Sequence, residues 1–270
     1  MKRTLQELTI KDPFMFAAVM SDETQCKRLL SLVLEMEILQ VSVVPEKTIT
    51  YHPEYRGVRL DVMAIENCTN RRFDIEMQIQ NHKNIPKRSR YYHAQLDMDA
   101  LLTGTDYNKL PDTYVIFICD YDPLSSQFYK YTFSNCCKEN NEAIPDGNYT
   151  IWLSTKGQNE QDVPKELVEF LKYVESPDKA DTSTDDSFIN SLKEQIAAIK
   201  RTRDWEGKFM LFEEMLQDEK EEGRAEGRSE TKHAMAQLIQ ILSTQNRMND
   251  ILKIANDSDY LDKLLKEFNL

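Results

Sequence analysis

Two stretches of alternating apolar and polar residues, 59–65 and 73–79, have the period of half-buried β-strands. A short polar loop, residues 67–70, separates them, so the pattern predicts a β-hairpin. If Glu66 and Arg71 close the hairpin, paired positions sum to a constant, which sets Asp61 directly opposite Glu76. Facing residues on antiparallel strands have Cβ atoms about 4.5–5.5 Å apart. The hairpin therefore predicts two carboxylates in close proximity.

The remaining apolar patterns predict helices around further strands. A continuous apolar run at 114–119, rich in β-favouring residues, is typical of a central strand buried on both faces. Because this strand follows a predicted crossover helix, the order of elements favours an α/β sandwich around a mixed sheet flanked by helices. The other predicted elements are two helices within 12–36 with Asp12 as the first N-cap, an extended segment at 38–51, a helix at 87–102, strands at 128–133 and 149–153, and a helix at 164–174.

The last third of the chain is different in composition. Residues 176–187 are rich in Pro, Ser, Thr and Asp and predict a linker that ends a first domain at residue 175. Residues 188–270 are predicted to be helical, with a highly charged connector at 213–230. The apolar face of 233–270 is larger than so short a unit can bury alone, so we expect homodimerisation through the C-terminal helices.

The facing pair Asp61 and Glu76 has a specific chemical implication. Two carboxylates at this separation repel each other unless a cation or a proton lies between them, and a divalent metal ion is a suitable occupant. Gln78 lies two residues beyond Glu76 and so points to the same face. The competing interpretation is that these are solvated residues on a sheet face. Asp74 is expected to be solvated, although it shares that face.

The Asp and Glu-x-Gln residues resemble the PD-(D/E)xK nuclease superfamily, with Gln78 in the position where lysine is usual. The variant is similar to the recombination-promoting nucleases, also described as PD-(D/E)xK family transposases. Four further stretches carry the same resemblance: TIKDPFMF at 9–16, KRSRYYH at 87–93, YVIFICD at 114–120 and EGRAEGR at 222–228.

The resemblance implies a restriction-endonuclease-like mixed sheet in residues 1–175 and a DNA endonuclease linked to recombination or mobile elements. It implies Mg²⁺ as cofactor, which Mn²⁺ can replace, held by Asp61, Glu76 and the backbone carbonyl of Met77. Asp12 is a further candidate for the metal site. The resemblance assigns Asp61, Glu76 and Gln78 to catalysis, and Gln78 can orient water through hydrogen bonds although it cannot carry charge.

Charge and composition limit the alternatives. The net charge of −12 opposes DNA binding, so local basic clusters matter, and Lys87, Arg88 and Arg90 follow the hairpin as candidate phosphate contacts. The competing interpretation is a solvated helix face. There is no glycine-rich phosphate loop, so no nucleotide cofactor is expected. Five irregularly spaced cysteines, no signal peptide and no long apolar run predict a cytoplasmic protein without a membrane span.

A second hypothesis keeps the fold but removes the activity. The glutamine at position 78 and the net acidity favour a catalytically weak or inactive nuclease-fold protein that acts as an interaction or assembly module. The retained Asp61–Glu76 pair counts against it, since two facing carboxylates without a metal ion lower stability.

Overall fold

The computed structural model describes residues 3–49, 57–178, 186–254, 257–268 and 270. Within these residues, six strands form one sheet and eight α-helices accompany it. The strands are β1 (Val41–Ile49), β2 (Val58–Glu66), β3 (Arg72–Gln78), β4 (Thr113–Cys119), β5 (Lys130–Phe133) and β6 (Asn148–Ser154). The helices are α1 (Pro13–Met20), α2 (Glu23–Leu34), α3 (Ile85–Ala100), α4 (Lys165–Glu175), α5 (Ser187–Arg201), α6 (Arg203–Thr244), α7 (Met248–Ile254) and α8 (Ser258–Phe268).

The sheet is mixed, as the sequence predicts, with strand order β1-β2-β3-β4-β6-β5. Strands β1, β2 and β3 form an antiparallel meander, β3 pairs in parallel with β4 and β4 with β6, and β5 returns antiparallel to β6. A parallel pair needs a crossover connection, and α3 is the helix between β3 and β4. The expected fold class, a mixed sheet flanked by helices and followed by a helical region, is confirmed.

The β2–β3 hairpin has the predicted register. Val62 pairs with Ile75 and Met63 with Asp74, and the Glu66 N–H donates to the Arg71 carbonyl at 2.9 Å. Asn70 closes the turn in the left-handed region with φ of 59°, which asparagine tolerates better than most residues. Because the residue numbers of antiparallel partners sum to a constant, the same register directs Asp61 towards Glu76.

Strand β4 is buried along its whole length, which confirms the predicted central strand. On one face of the sheet, Tyr114 stacks between Phe73 and Tyr149 of the neighbouring strands, with ring centroids 5.2 Å and 4.8 Å away. On the other face, Phe117 packs against Tyr92 of α3, with centroids 6.0 Å apart. Helix α3 therefore covers the face of the sheet that includes Glu76, because Glu76 pairs with Phe117 in the β3–β4 register.

The two helices predicted within residues 12–36 are present as α1 and α2. Helix α1 is buried on all sides except at Pro13 and packs against β1, β2, β3 and α5. Helix α2 is capped by the Asp22 carboxylate, which accepts from the Thr24 and Gln25 N–H groups at 2.9 and 3.1 Å. Asp12 occupies the predicted N-cap position of α1, but its carboxylate does not accept the capping hydrogen bond expected from the first turn of the helix.

The chain divides into two compact units, Met1–Glu206 and Gly207–Leu270. Helix α5 lies in the first unit, where it packs against α1 and α4 and where Phe188 contacts the Phe170 ring at 5.8 Å between centroids. The sequence-based boundary assigned this helix to the C-terminal region, because its apolar face does not reveal its partner. Most of the predicted linker, residues 179–185, falls outside the described residues.

The second unit has a small core of its own. Leu238 and Leu242 of α6 are buried with Ile254 of α7 and Leu264 of α8. The predicted charged connector, 213–230, is part of the continuous helix α6, and its described side chains from residue 214 onward are exposed. Several apolar side chains of this unit also remain exposed, among them Met210, Leu211, Met248 and Leu252.

Candidate functional site

The carboxylates of Asp61 and Glu76 meet across the hairpin. The Asp61 N–H donates to Glu76 Oε1 at 3.0 Å, and the Met77 N–H donates to Asp61 Oδ2 at 3.0 Å. Each side chain thus accepts a hydrogen bond from the backbone of the opposite strand. These bonds fix the orientation of both carboxylates at the point where the paired positions of β2 and β3 end, beyond Val62 and Ile75.

The two carboxylates line a cavity of about 340 Å³. Its lining mixes polar and apolar surface and combines the end of the hairpin with the start of α1 and of α3. The lining residues are Pro13, Arg59, Asp61, Glu76, Met77, Gln78, Ile79, Gln80, His82 and Arg88. All three residues predicted for catalysis, Asp61, Glu76 and Gln78, are therefore brought together at one cavity.

Glu76 is almost completely buried, with 2% of its surface exposed. Burial raises the pKa of its carboxyl well above the usual range, and the charges of Asp61 and Asp74 raise it further, whereas the Arg88 guanidinium opposes this shift. Arg88 Nη2 donates to Glu76 Oε2 at 2.9 Å. Three acidic side chains, those of Asp61, Asp74 and Glu76, are thus gathered near the Arg88 guanidinium, which favours uptake of a proton or a cation.

Asp74 departs most from its predicted environment. It is fully buried rather than solvated, and within the described part of the chain neither of its carboxylate oxygens has a hydrogen-bond partner. Burial raises the pKa of Asp74 well above its usual range, followed in size by the effect of the Asp61 charge. Alternation in β3 predicted a water-facing side, but α3 covers that side and excludes the water.

The pKa values of Asp74 and Glu76 are both raised, and the two groups titrate as a pair. Glu76 receives hydrogen bonds from Arg88 and from the Asp61 backbone, which stabilise its charged form. Because the two groups titrate as a pair, the proton taken up as the pH falls belongs to both carboxyls together.

Arg88 is placed in the site itself rather than on the outer surface of α3. Its guanidinium contacts Gln78 Oε1 at 2.7 Å and the Tyr92 hydroxyl at 2.7 Å, in addition to Glu76. Lys87 and Arg90 of the same helix are exposed. The predicted cluster of three phosphate contacts is therefore split, because positions 88 and 92 share the inward face of α3 while 87 and 90 point outward.

Gln78 and the Met77 carbonyl are directly connected. Gln78 Nε2 donates to the Met77 carbonyl at 3.0 Å, and its Oε1 accepts from Arg88. The carbonyl predicted as a metal ligand thus lies beside the amide predicted to orient water. Both groups face the same cavity as the two carboxylates.

Asp12 does not line this cavity, although the next residue, Pro13, does. The Asp12 carboxylate forms an ion pair with Arg3 and accepts from the Thr9 N–H at 3.2 Å. These contacts hold the loop that leads into α1. They give Asp12 a structural function at the edge of the site.

The donor atoms present match those that Mg²⁺ prefers, which are hard oxygen ligands with few carboxylates. In the described residues no group of three or more His, Cys, Asp or Glu side chains is arranged to hold a metal ion. The oxygen donors gathered at the cavity are the carboxylates of Asp61 and Glu76, with Met77 beside them. Asp74 adds two buried carboxylate oxygens without a hydrogen-bond partner among the described residues, and a nearby cation would favour their ionised form, so the residues fit a divalent cation.

His93 illustrates a titratable residue outside this chemistry. It is buried between the Thr113 and Thr150 hydroxyls, at 2.8 and 3.0 Å from its ring nitrogens. Burial lowers the pKa of the imidazole to about 4, so it is neutral in the folded protein near neutral pH.

A mixed sheet flanked by helices, with two interlocked carboxylates on a β-hairpin, is consistent with a nuclease-type fold. The family model for the PD-(D/E)XK nuclease family transposases matches residues 11–241. The chain therefore belongs to this family, which confirms the resemblance found in the sequence motifs and supports a nuclease-like function linked to mobile elements.

No curated protein and no solved structure matches the chain significantly. PD-(D/E)XK nucleases generally use divalent metals, which agrees with the oxygen donors of the cavity. Among the described helices, none combines the length and the hydrophobicity needed to cross a bilayer.

Proposed function

We propose that the protein is a metal-dependent endonuclease that hydrolyses phosphodiester bonds in DNA, with Asp61 and Glu76 holding the cation. The observation that carries this proposal is the pair of facing carboxylates, each oriented by a backbone N–H of the opposite strand. Such preorganisation keeps two negative charges together at a cavity, and that arrangement is useful only if a positive charge joins them.

The residues of the cavity have different proposed roles, which are metal binding and positioning of water. Asp61, Glu76 and the Met77 carbonyl bind Mg²⁺, or Mn²⁺ in its place. When bound, the cation lowers the pKa of water and offsets charge on the phosphate. Gln78 donates and accepts hydrogen bonds and so positions the attacking water, a role that needs no charge.

The proposed DNA contacts lie on α3, next to the cavity. Lys87 and Arg90 are exposed on this helix and can neutralise backbone phosphates of a bound DNA. Arg88 reaches the cavity from the same helix. The family assignment supports DNA as the substrate and recombination or mobile elements as the setting.

Plasmid nicking by the purified full-length chain tests the proposal. Supercoiled DNA is incubated with Mg²⁺, with Mn²⁺ or with EDTA, beside Asp61→Asn, Glu76→Gln and the control Glu166→Gln, an exposed carboxylate of α4. We expect nicking with either metal, none in EDTA, and a loss on the order of a hundredfold or more in the two site variants, because several kcal/mol of charge stabilisation are removed.

Equal nicking by all four proteins would place the activity elsewhere or in a contaminant. No nicking by the unmodified protein under any condition would contradict the proposal and favour the alternative, a nuclease-fold interaction module. Nicking lost in Glu166→Gln as well would indicate a general effect of acidic substitutions rather than a defined site.

We also propose that the C-terminal helices mediate homodimerisation. Met248 and Leu252 lie one helical turn apart on α7 and expose 61% and 69% of their surfaces, a pattern that a second copy can cover. Two sites in one dimer can address both strands of a duplex. Sedimentation velocity at micromolar concentration should give a dimer that the Met248→Ser, Leu252→Ser double variant shifts to monomer. Monomeric behaviour of the unmodified chain would overturn this.

A further inference from the structure

The guanidinium of Arg88 is held in the site by three side-chain acceptors. It donates to Glu76 Oε2, to Gln78 Oε1 and to the Tyr92 hydroxyl, at 2.7–2.9 Å. It also lies over the rings of Tyr92 and Phe117, 5.1 and 5.3 Å from their centroids. These contacts hold the guanidinium in one conformation within the site, whereas a solvated surface arginine samples many conformations.

Arg88 donates to the carboxylate oxygen of Glu76 that does not accept a hydrogen bond from the backbone. Glu76 Oε1 accepts from the Asp61 N–H, and Oε2 accepts from Arg88, so both oxygens are in use. A guanidinium cannot lose its proton in a protein, so its positive charge is permanent. A divalent cation that binds Glu76 through Oε2 must therefore displace this contact or bind against a nearby like charge.

We propose that Arg88 and the divalent cation are alternative partners of Glu76, so that Arg88 sets how tightly the site binds metal. The inference rests on the proposed function and concerns the regulation of the same site. Without metal, Arg88 is the counterion that keeps the crowded carboxylates together. When metal binds, the released guanidinium presents the paired donors that a phosphate oxygen pair accepts, so metal loading delivers Arg88 to the DNA backbone.

Binding of Mn²⁺ alone, measured on the full-length chain by the electron paramagnetic resonance signal of the free ion, tests this exchange without any activity assay. Arg88→Met removes the charge and keeps the aliphatic bulk over Tyr92 and Phe117. Arg90→Gln removes the same charge from an exposed position of the same helix and is the matched control. Tyr92→Phe removes one anchor of the guanidinium and leaves the charge in place.

We expect Arg88→Met to bind Mn²⁺ about tenfold or more tightly, because a like charge beside a dication is removed. Tyr92→Phe should bind about two- to threefold more tightly, since Arg88 is held less firmly, and Arg90→Gln should be unchanged. Arg88→Met should also melt at a lower temperature in EDTA and gain more from Mn²⁺ than the unmodified protein. If Arg88→Met does not fold, the affinity of Tyr92→Phe for Mn²⁺ tests the proposed exchange instead.

Three other outcomes overturn the inference in distinguishable ways. If Asp61→Asn abolishes Mn²⁺ binding but Arg88→Met and Tyr92→Phe bind like the unmodified protein or more weakly, the exchange is wrong and the proposed metal site stands. If neither the unmodified protein nor Arg88→Met binds Mn²⁺, both the exchange and the metal-dependent function fail. An equal gain in Arg90→Gln would assign the effect to overall charge and also overturn the exchange.

Discussion

Position 78 carries a neutral amide where the nuclease superfamily usually has lysine, and the neighbouring Arg88 gives a physical reason. Gln78 Oε1 accepts from the guanidinium at 2.7 Å, a contact that needs an acceptor. An ammonium at the same place would face a like charge. Gln78 and Arg88 therefore behave as a matched pair in which the positive charge is supplied from α3 instead of β3.

This pairing predicts a non-additive result. Gln78→Lys alone should lower the free energy of unfolding in EDTA by about 1–3 kcal/mol, because two cations are forced together. The Gln78→Lys, Arg88→Gln double variant should recover about 1–2 kcal/mol of that loss, since one cation again lies beside Glu76. Urea unfolding of the unmodified protein, the two single variants and the double variant provides the double-mutant cycle. Additive losses would show that the two side chains are not coupled.

The buried Asp74 predicts a stability that depends on pH in a defined direction. The pKa of Asp74 is raised in the folded protein, so the folded state binds its proton more tightly than the unfolded state. Its contribution is fully present below the unfolded pKa, about 3.9, and is lost as the pH rises towards the folded value.

Asp74→Asn removes this ionisation and keeps the shape. In EDTA at pH 7 the variant should be more stable than the unmodified protein by about 1–3 kcal/mol, because no buried carboxylate without a donor remains. The difference should shrink as the pH falls towards 4. Thermal unfolding at several pH values measures it, and a variant that is less stable at pH 7 would mean that Asp74 has an acceptor function in the folded state.

At the scale of single elements, the turn into β6 depends on one glycine. Gly147 has φ of 72°, and its carbonyl accepts from the Thr113 N–H at 2.8 Å, which joins the start of β6 to β4. A Cβ built at this position would lie 3.3 Å from the Asp112 Cα and would collide with its carboxylate. Both the backbone conformation and the space therefore require glycine.

Gly104 offers a matched control for this turn. It also has a positive φ, 83°, but a Cβ there meets nothing within 4 Å. Gly104→Ala should cost about 1 kcal/mol for the backbone conformation alone. Gly147→Ala should cost more, because Asp112 must move as well. Chemical denaturation of both variants checks the order, and equal costs would mean that Asp112 adjusts freely.

The elements also show where prediction from the sequence succeeds. The strands β2, β3 and β4 and their hairpin register could be predicted, because alternation and buried apolar runs are local patterns. The burial of Asp74 and the inward direction of Arg88 could not, since both depend on where α3 packs on the sheet. The assignment of α5 to the first unit has the same cause: its apolar face is visible in the sequence, but its partner α1 is not.

At the scale of the whole molecule, the net charge of −12 has to be overcome for DNA to bind. Repulsion by the overall charge makes local cationic contacts decisive, and such contacts weaken as salt rises because counterions are released from DNA. We therefore expect binding that is confined to low and moderate ionic strength and that depends on the exposed basic residues of α3.

The salt dependence of binding tests the assignment of Lys87 and Arg90. In the Lys87→Ala, Arg90→Ala double variant, the slope of log K against log salt should become shallower by about 1–2, roughly 0.7–0.9 for each lost phosphate contact. Lys109→Ala with Lys165→Ala removes the same total charge elsewhere and should leave the slope unchanged. An equal change in both double variants would assign the effect to net charge.

The placement of the carboxylate pair on a hairpin has a consequence for the order in which the chain folds. Asp61 and Glu76 are 15 positions apart, whereas Thr113, which pairs with Arg72, lies 41 positions further along the chain. Local contacts close faster than distant ones, so repulsion between the carboxylates is present before β4 arrives to bury them. We expect Mg²⁺ to accelerate refolding of the full chain relative to EDTA, an effect that Asp61→Asn should remove in stopped-flow fluorescence.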